Sequence, residues 1–123
     1  MKTKCNAFLS YSQHDLEVIK SYAISLRDSY NITLSEHTTA ANYSLNTEIF
    51  DTIQRSNIIL ACISHNALLS KSFLREVKLL QSFNTIVVKL DDVELPECLK
   101  EFPMISSSLE AVLQALTKAS HQT

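Results

Sequence analysis

Three observations predict an α/β fold in which a parallel sheet is covered by helices on both faces. Short runs of strand-forming residues alternate along the chain with stretches whose apolar residues recur every three or four positions. The run from Ile58 to Ile63 is apolar at every position, as expected of a central strand buried on both sides. An asparagine also stands three times between a helical stripe and a strand, at Asn31, Asn57 and Asn84. Helices often end on a residue with positive φ, usually glycine and otherwise asparagine, so these three are expected to do glycine's work in tight turns.

In chain order, Ala7-Phe8-Leu9 reads as a buried first strand near 5–11 that runs into Ser10-Tyr11-Ser12-Gln13-His14 and then a helix. Loops at the carboxyl ends of strands are where open α/β sheets bind ligands, which makes Ser10 to His14 the first candidates for a site. Ser12 and Asp15 also suit a helix start. Leu16, Ile19, Ala23, Leu26 and Tyr30 form one face of the first helix. A second strand near 32–35 leads to a polar connection from Ser35 to Asn46, which is long for such a unit and expected to be an exposed loop. Leu45, Ile49, Phe50 and Ile53 mark the next helix, capped by Ser44 or Asn46. The third strand, 58–63, ends in Ser64-His65. Leu69, Phe73, Val77 and Leu80 make a further stripe, followed by a fourth strand near 85–90 ending at Asp91-Asp92. Val93 to Lys100 reads as a turn-rich connection around Pro96 and 104–106 as a brief edge strand. Ser107 with Glu110 predicts a capping box for a last helix carrying Leu109, Val112, Leu113 and Leu116.

At 123 residues and 13.9 kDa the chain is expected to form a single domain over 1–123. Its 46% hydrophobic and 20% charged residues suit a globular protein, and no apolar run reaches the roughly 18 residues of a membrane span. No secretory signal or membrane anchor is visible, so a cytoplasmic location is expected. A net charge of −2 gives no electrostatic footprint for nucleic acid or anionic membranes. Cys5, Cys62 and Cys98 are an odd count, far apart, and read as reduced core thiols. His14, His37, His65 and His121 supply no paired metal-ligand spacing, so no metal is expected.

The chain contains no glycine, where average usage near 7% would place about nine. That excludes a glycine-rich phosphate loop, a dinucleotide-binding fingerprint and the Gly-x-Ser-x-Gly elbow of serine hydrolases. A phospho-receiver domain is excluded too, because Ser10-Tyr11-Ser12 and Ser64-His65 stand where it needs carboxylates for magnesium and phosphate.

Phe8-Leu9-Ser10-Tyr11-Ser12, followed by Asp15 at a helix start, resembles the first conserved box of Toll/interleukin-1 receptor (TIR) domains. Ser70-Lys71-Ser72-Phe73-Leu74-Arg75-Glu76 resembles the family pattern Ser-x-Trp-Cys-x-x-Glu. The departures mark a divergent member: Ser72 and Phe73 replace the tryptophan and cysteine, Ser35 to Asn46 lacks the BB loop's usual glycine and proline, and no Phe-Trp pair marks the last helix.

The resemblance covers nearly the whole chain and implies a flavodoxin-like five-stranded parallel sheet of order 2-1-3-4-5. It implies a signalling module that self-associates with other TIR domains, through Glu36, His37, Asn42 and Tyr43 of the BB loop. It further implies NAD⁺ hydrolysis at the nicotinamide–ribose bond, with Glu76 as the catalytic carboxylate and NAD⁺ as a substrate; no resident cofactor is expected. The nucleotide would lie near Ser10, Tyr11, Ser12, Ser64, Ser72 and Phe73, stacking on Tyr11 or Phe73 because Ser72 cannot stack. The alternative is a non-catalytic scaffold. Helical spacing places Glu76 three residues after Phe73 and four before Leu80, on the border of the buried stripe. A glutamate flanked by Arg75 and Lys78 is otherwise a solvated helix residue.

Overall fold

A computed structural model describes residues 5–37, 47–80 and 83–121. They form β1 (Cys5–Ser12), α1 (Leu16–Leu26), β2 (Tyr30–His37), α2 (Thr47–Arg55), β3 (Ile58–Ile63), α3 (His65–Leu68), α4 (Lys71–Leu80), β4 (Thr85–Lys89), β5 (Met104–Ser106) and α5 (Leu109–His121). Single 3-10 turns, Gln13–Asp15 and Glu97–Leu99, precede α1 and β5. All five strands are parallel, in the order β2-β1-β3-β4-β5.

Strand alternation sends successive side chains to opposite faces and so builds two cores. On one face Ala7, Leu9, Leu60 and Val88 pack against Ile19, Tyr22 and Leu26 of α1 and Val112 and Leu116 of α5. On the other, Phe8, Ile59, Ala61 and Val87 pack against Ile53 of α2, Ala67 of α3 and Phe73, Val77 and Leu80 of α4. β3 is buried at all six positions, which is why its sequence carries no polar residue.

Burial pushes the Cys62 thiol upward, as does the nearby negative charge of Asp15. Tyr22, between α1 and the sheet, is pushed up to about 12 by burial and then by Cys62, and its hydroxyl donates to the Ser107 carbonyl. Cys5 is only half-buried rather than a core thiol, and the Cys98 side chain lies outside the described residues.

The asparagines serve a different purpose from the expected one. Among the described residues none has positive φ. Instead the amides form a ladder across the amino ends of four adjacent strands. Asn31 Nδ2 donates to Asn6 Oδ1 at 3.1 Å, the Asn6 backbone amide donates to Asn57 Oδ1 at 2.7 Å, and Asn84 Nδ2 donates to the Asn57 carbonyl at 3.2 Å. Asn6 Nδ2 closes the α2 end by donating to the Arg55 carbonyl at 3.1 Å.

Asn57→Gly is therefore expected to cost about 1–2 kcal/mol in urea unfolding, from a lost acceptor and added chain entropy. If Asn57 were a stand-in for glycine the substitution would be neutral or stabilising.

Other expectations shift for local reasons. β2 runs on to His37, so Ser35 to His37 are strand rather than loop; residues 38–46, with Asn42, Tyr43, Leu45 and the expected cap of α2, lie outside the described residues. Leu69, assigned above to a buried stripe, is 72% exposed. α4 starts only at Lys71, because the Ser70 hydroxyl accepts from the Phe73 amide at 3.2 Å and opens a new helix there. The cap of α5 is Ser108 rather than Ser107: its hydroxyl accepts from the Ala111 amide at 3.2 Å. Leu113 is 38% exposed, on the outer side of that helix. Val93 and Leu99, in the expected turn region, are core residues.

Candidate functional site

The carboxyl ends of β1 and β3 carry Ser10, Ser12 and Ser64, and that of β2 reaches Glu76 through Ser35. Ser10 and Ser12 alternate with Phe8 and so face the α2–α4 side of the sheet. Ser12 caps the following 3-10 turn, accepting from the His14 amide at 3.3 Å, while the His14 side chain is exposed. Asp15 makes no cap bond of its own and instead accepts from the Ser64 hydroxyl at the end of β3. The same Ser64 hydroxyl accepts from the Ala67 amide at 3.1 Å and so starts α3. Ser12 and Ser64 thus do structural work at helix starts.

Glu76 is the unusual member. Its helix places it one turn beyond Phe73, and it is 0% exposed, far from the solvated helix residue that its charged neighbours suggest. A fully buried glutamate is rare unless paired. Ser35, near the carboxyl end of β2, donates its hydroxyl to Glu76 Oε2 at 3.0 Å. Ser10 is the register partner of Ser35 on β1, is itself 0% exposed, and its Oγ has no hydrogen-bond partner among the described residues. A carboxylate, a donated hydroxyl and an uncommitted hydroxyl are therefore gathered at one end of the sheet. Such a group can hold sugar hydroxyls or stabilise a developing positive charge.

The aromatic part of the expected site is not gathered with them. Tyr11 is 2% exposed and belongs to the core under α1, whereas Phe73 is 0% exposed in the core on the opposite face. Neither offers a free ring face to a nucleotide. The Ser72 side chain, like those of Glu36 and His37, lies outside the described residues. Sequence reasoning named Ser35 only as the point where the second strand gives way to a loop; its partnership with Glu76 spans 41 positions and leaves no local signal.

A second polar feature joins β4 to α3. The Asp91 carboxylate accepts from the His65 amide at 3.0 Å, lies 3.1 Å from His65 Nδ1, and accepts from the Val93 amide at 3.0 Å. Partial burial opposes its ionisation, but the His65 amide and ring and the Val93 amide outweigh it and hold Asp91 below the usual carboxylate range.

Stability from this group is full above its ordinary value of 3.8 and is lost as pH falls through the lower folded value. With 38% of the side chain exposed, solvent screens the contribution. Asp91→Ala should destabilise by about 1 kcal/mol at neutral pH, and the gap from wild type in thermal melts should close as pH falls below the usual carboxylate range. A gap independent of pH would remove the charge from that explanation.

Among the described residues no three His, Cys, Asp or Glu side chains gather as a metal site would require, and no helix is long and apolar enough to cross a membrane.

Comparison with known proteins places these features in context. The TIR domain family matches residues 7–117. No curated protein matches the chain. Among solved structures, the chain is similar to the TIR domain of the Toll-related receptor TRR-2 from the lower metazoan Hydra magnipapillata, with a TM-score of 0.69 and 16% identity over 98% of this chain and 97% of that one.

Proposed function

Because the chain belongs to the TIR domain family, we propose that this signalling module works by homotypic self-association and that its output is hydrolysis of NAD⁺ at the nicotinamide–ribose bond. The observation that carries the catalytic half is the burial of Glu76 together with its bond from Ser35. Removing a carboxylate from water is costly, so its retention beside two serines points to a task for the charge.

In the reaction the C–N glycosidic bond breaks and nicotinamide leaves with the bonding pair. Water adds to the ribose carbon and releases a proton, giving ADP-ribose. The ribose carries positive charge as the bond opens, and the Glu76 carboxylate stabilises that charge. Ser35 fixes one carboxylate oxygen, which limits the reorganisation needed during the reaction.

Association runs through Glu36, His37, Asn42 and Tyr43, and it is weak in dilute solution because contacts of this size are transient. Light scattering and nicotinamide release on one concentration series test the proposal. Both should rise together in wild type, and both should fall in the double variant Asn42→Arg, Tyr43→Ala. Identical scattering by the two proteins would remove the loop from the account.

Two observations favour the scaffold reading instead. The Glu76 side chain is wholly covered, and neither Tyr11 nor Phe73 presents an aromatic surface. A module that only assembles needs neither.

A further inference from the structure

At the edge of the sheet, β5 is short and is covered on one face by α5. Ile86 of β4 and Ile105 of β5 both point to that face and join the core that α5 closes. The stretch of α5 beside them carries no large side chain: Ala111 and Ala115, one turn apart, leave a cavity of about 460 Å³. That volume falls in the range of small-molecule sites, roughly 300–1,000 Å³. Because α5 returns from the carboxyl end of β5, its last turns lie over the amino ends of the strands. There Gln114 and Lys118 of α5 line the cavity together with Asn84, the residue before β4. Asn84 Nδ2 donates to the Asn57 carbonyl, but the side chains of Gln114 and Lys118 make no hydrogen bond or ion pair among the described residues. Among those residues no carboxylate lines the cavity. Lys118 is thus an unneutralised cation at the polar end of an apolar hollow.

We propose that this cavity binds a free alkyl monocarboxylate, its carboxylate paired with Lys118 and its tail laid between Ala111 and Ala115 of α5 and Ile86 and Ile105 of the sheet. The Lys118 ammonium donates to the carboxylate, and the Gln114 amide can donate a second hydrogen bond. From Lys118 back to Ala111 the helix rises about 10 Å, the reach of a tail of about eight carbons. Burial of that tail against the two isoleucines drives binding, and the charge at one end fixes its direction. An alkyl cation is excluded because its head would meet Lys118. A lone lysine is too little for an anionic membrane, which attracts clusters of lysine and arginine, so the ligand is the free acid.

The test titrates octanoate, octanol and octylammonium into wild type, Lys118→Gln and Ala111→Leu, with calorimetry for affinity and thermal melts for stability. Wild type should bind octanoate with a Kd of about 0.1–1 mM, since ordering a small ligand offsets much of the gain from its tail. Octanol should bind about fivefold more weakly, and octylammonium more weakly still. Lys118→Gln should bring octanoate down to the level of octanol, about fivefold, while leaving octanol unchanged, and added salt should have the same effect on wild type. Ala111→Leu, which fills the hollow with apolar atoms, should lose both ligands by about tenfold or more yet melt at the wild-type temperature or above it.

Equal binding of the three probes by wild type, or octanoate affinity untouched in both variants, would overturn the proposal. If Ala111→Leu melts lower, Lys118→Gln decides alone, through its selective loss of octanoate. Protein that pellets with phosphatidylserine vesicles but binds no octanoate would assign the surface to a membrane and reject the free acid. Light scattering covers the remaining occupant: a particle that shrinks on Ala111→Leu, with no octanoate bound by the monomer, would make the hollow a contact between copies and end the ligand reading.

Discussion

Phe73→Ala is expected to destabilise the domain by about 3–5 kcal/mol, a large share of the roughly 5–15 kcal/mol that holds a domain of this size together. The ring is 0% exposed and packs with Phe8, Ile53, Val77 and Leu80 beneath α4. Truncation removes most of an aromatic side chain's buried area and leaves a cavity that a parallel sheet and three helices cannot close without moving. The melting temperature should fall by about 10–20 °C. A ring held ready to stack on a nucleotide would instead be partly open to solvent, and its loss would weaken ligand binding while sparing stability. Thermal unfolding of the variant separates the two, since a fall of only about 2 °C would return Phe73 to the ligand site.

The pattern of what could be read ahead of the structure follows from how far each signal reaches. Strand and helix alternation is written locally, in the all-apolar run Ile58–Ile63 and in the spacing of Leu16, Ile19, Ala23 and Leu26, so the architecture was legible, although the structure buries Tyr22 more deeply than Ala23. The asparagines misled because asparagine is suited both to positive φ and to lateral hydrogen bonding. Which one prevails depends on a neighbour 51 positions away, as with Asn6 and Asn57. Leu69 misled because its spacing to Phe73 is helical, while the cap at Ser70 breaks the helix between them. The site was legible in part: the spacing of Glu76 to Phe73 and Leu80 placed it on the border of the buried stripe. Its complete burial, and its bond from Ser35, which β2 delivers from elsewhere in the chain, have no local signal.

Glu76→Gln is expected to have the largest effect on function. Glutamine keeps the size of the side chain and an oxygen able to accept from Ser35, so folding should be preserved, with a melting temperature within a few degrees of wild type, about 3 °C. What it removes is the negative charge. In a water-excluded site, a charge aligned with a developing positive centre is worth far more than in solution, and losing it should lower cleavage by about a hundredfold or more. Partial activity in Glu76→Gln, within about threefold of wild type, would mean that shape and hydrogen bonding at this position suffice and that charge stabilisation is not its role.

The most direct measurement is release of free nicotinamide from NAD⁺ by wild type and Glu76→Gln across a series of rising protein concentrations. The account predicts slow release by wild type that climbs more steeply than in proportion to concentration, with none above background from the folded variant. Equal release by the two proteins, or none from either even when concentrated enough to assemble, would contradict it and leave a TIR scaffold without chemistry.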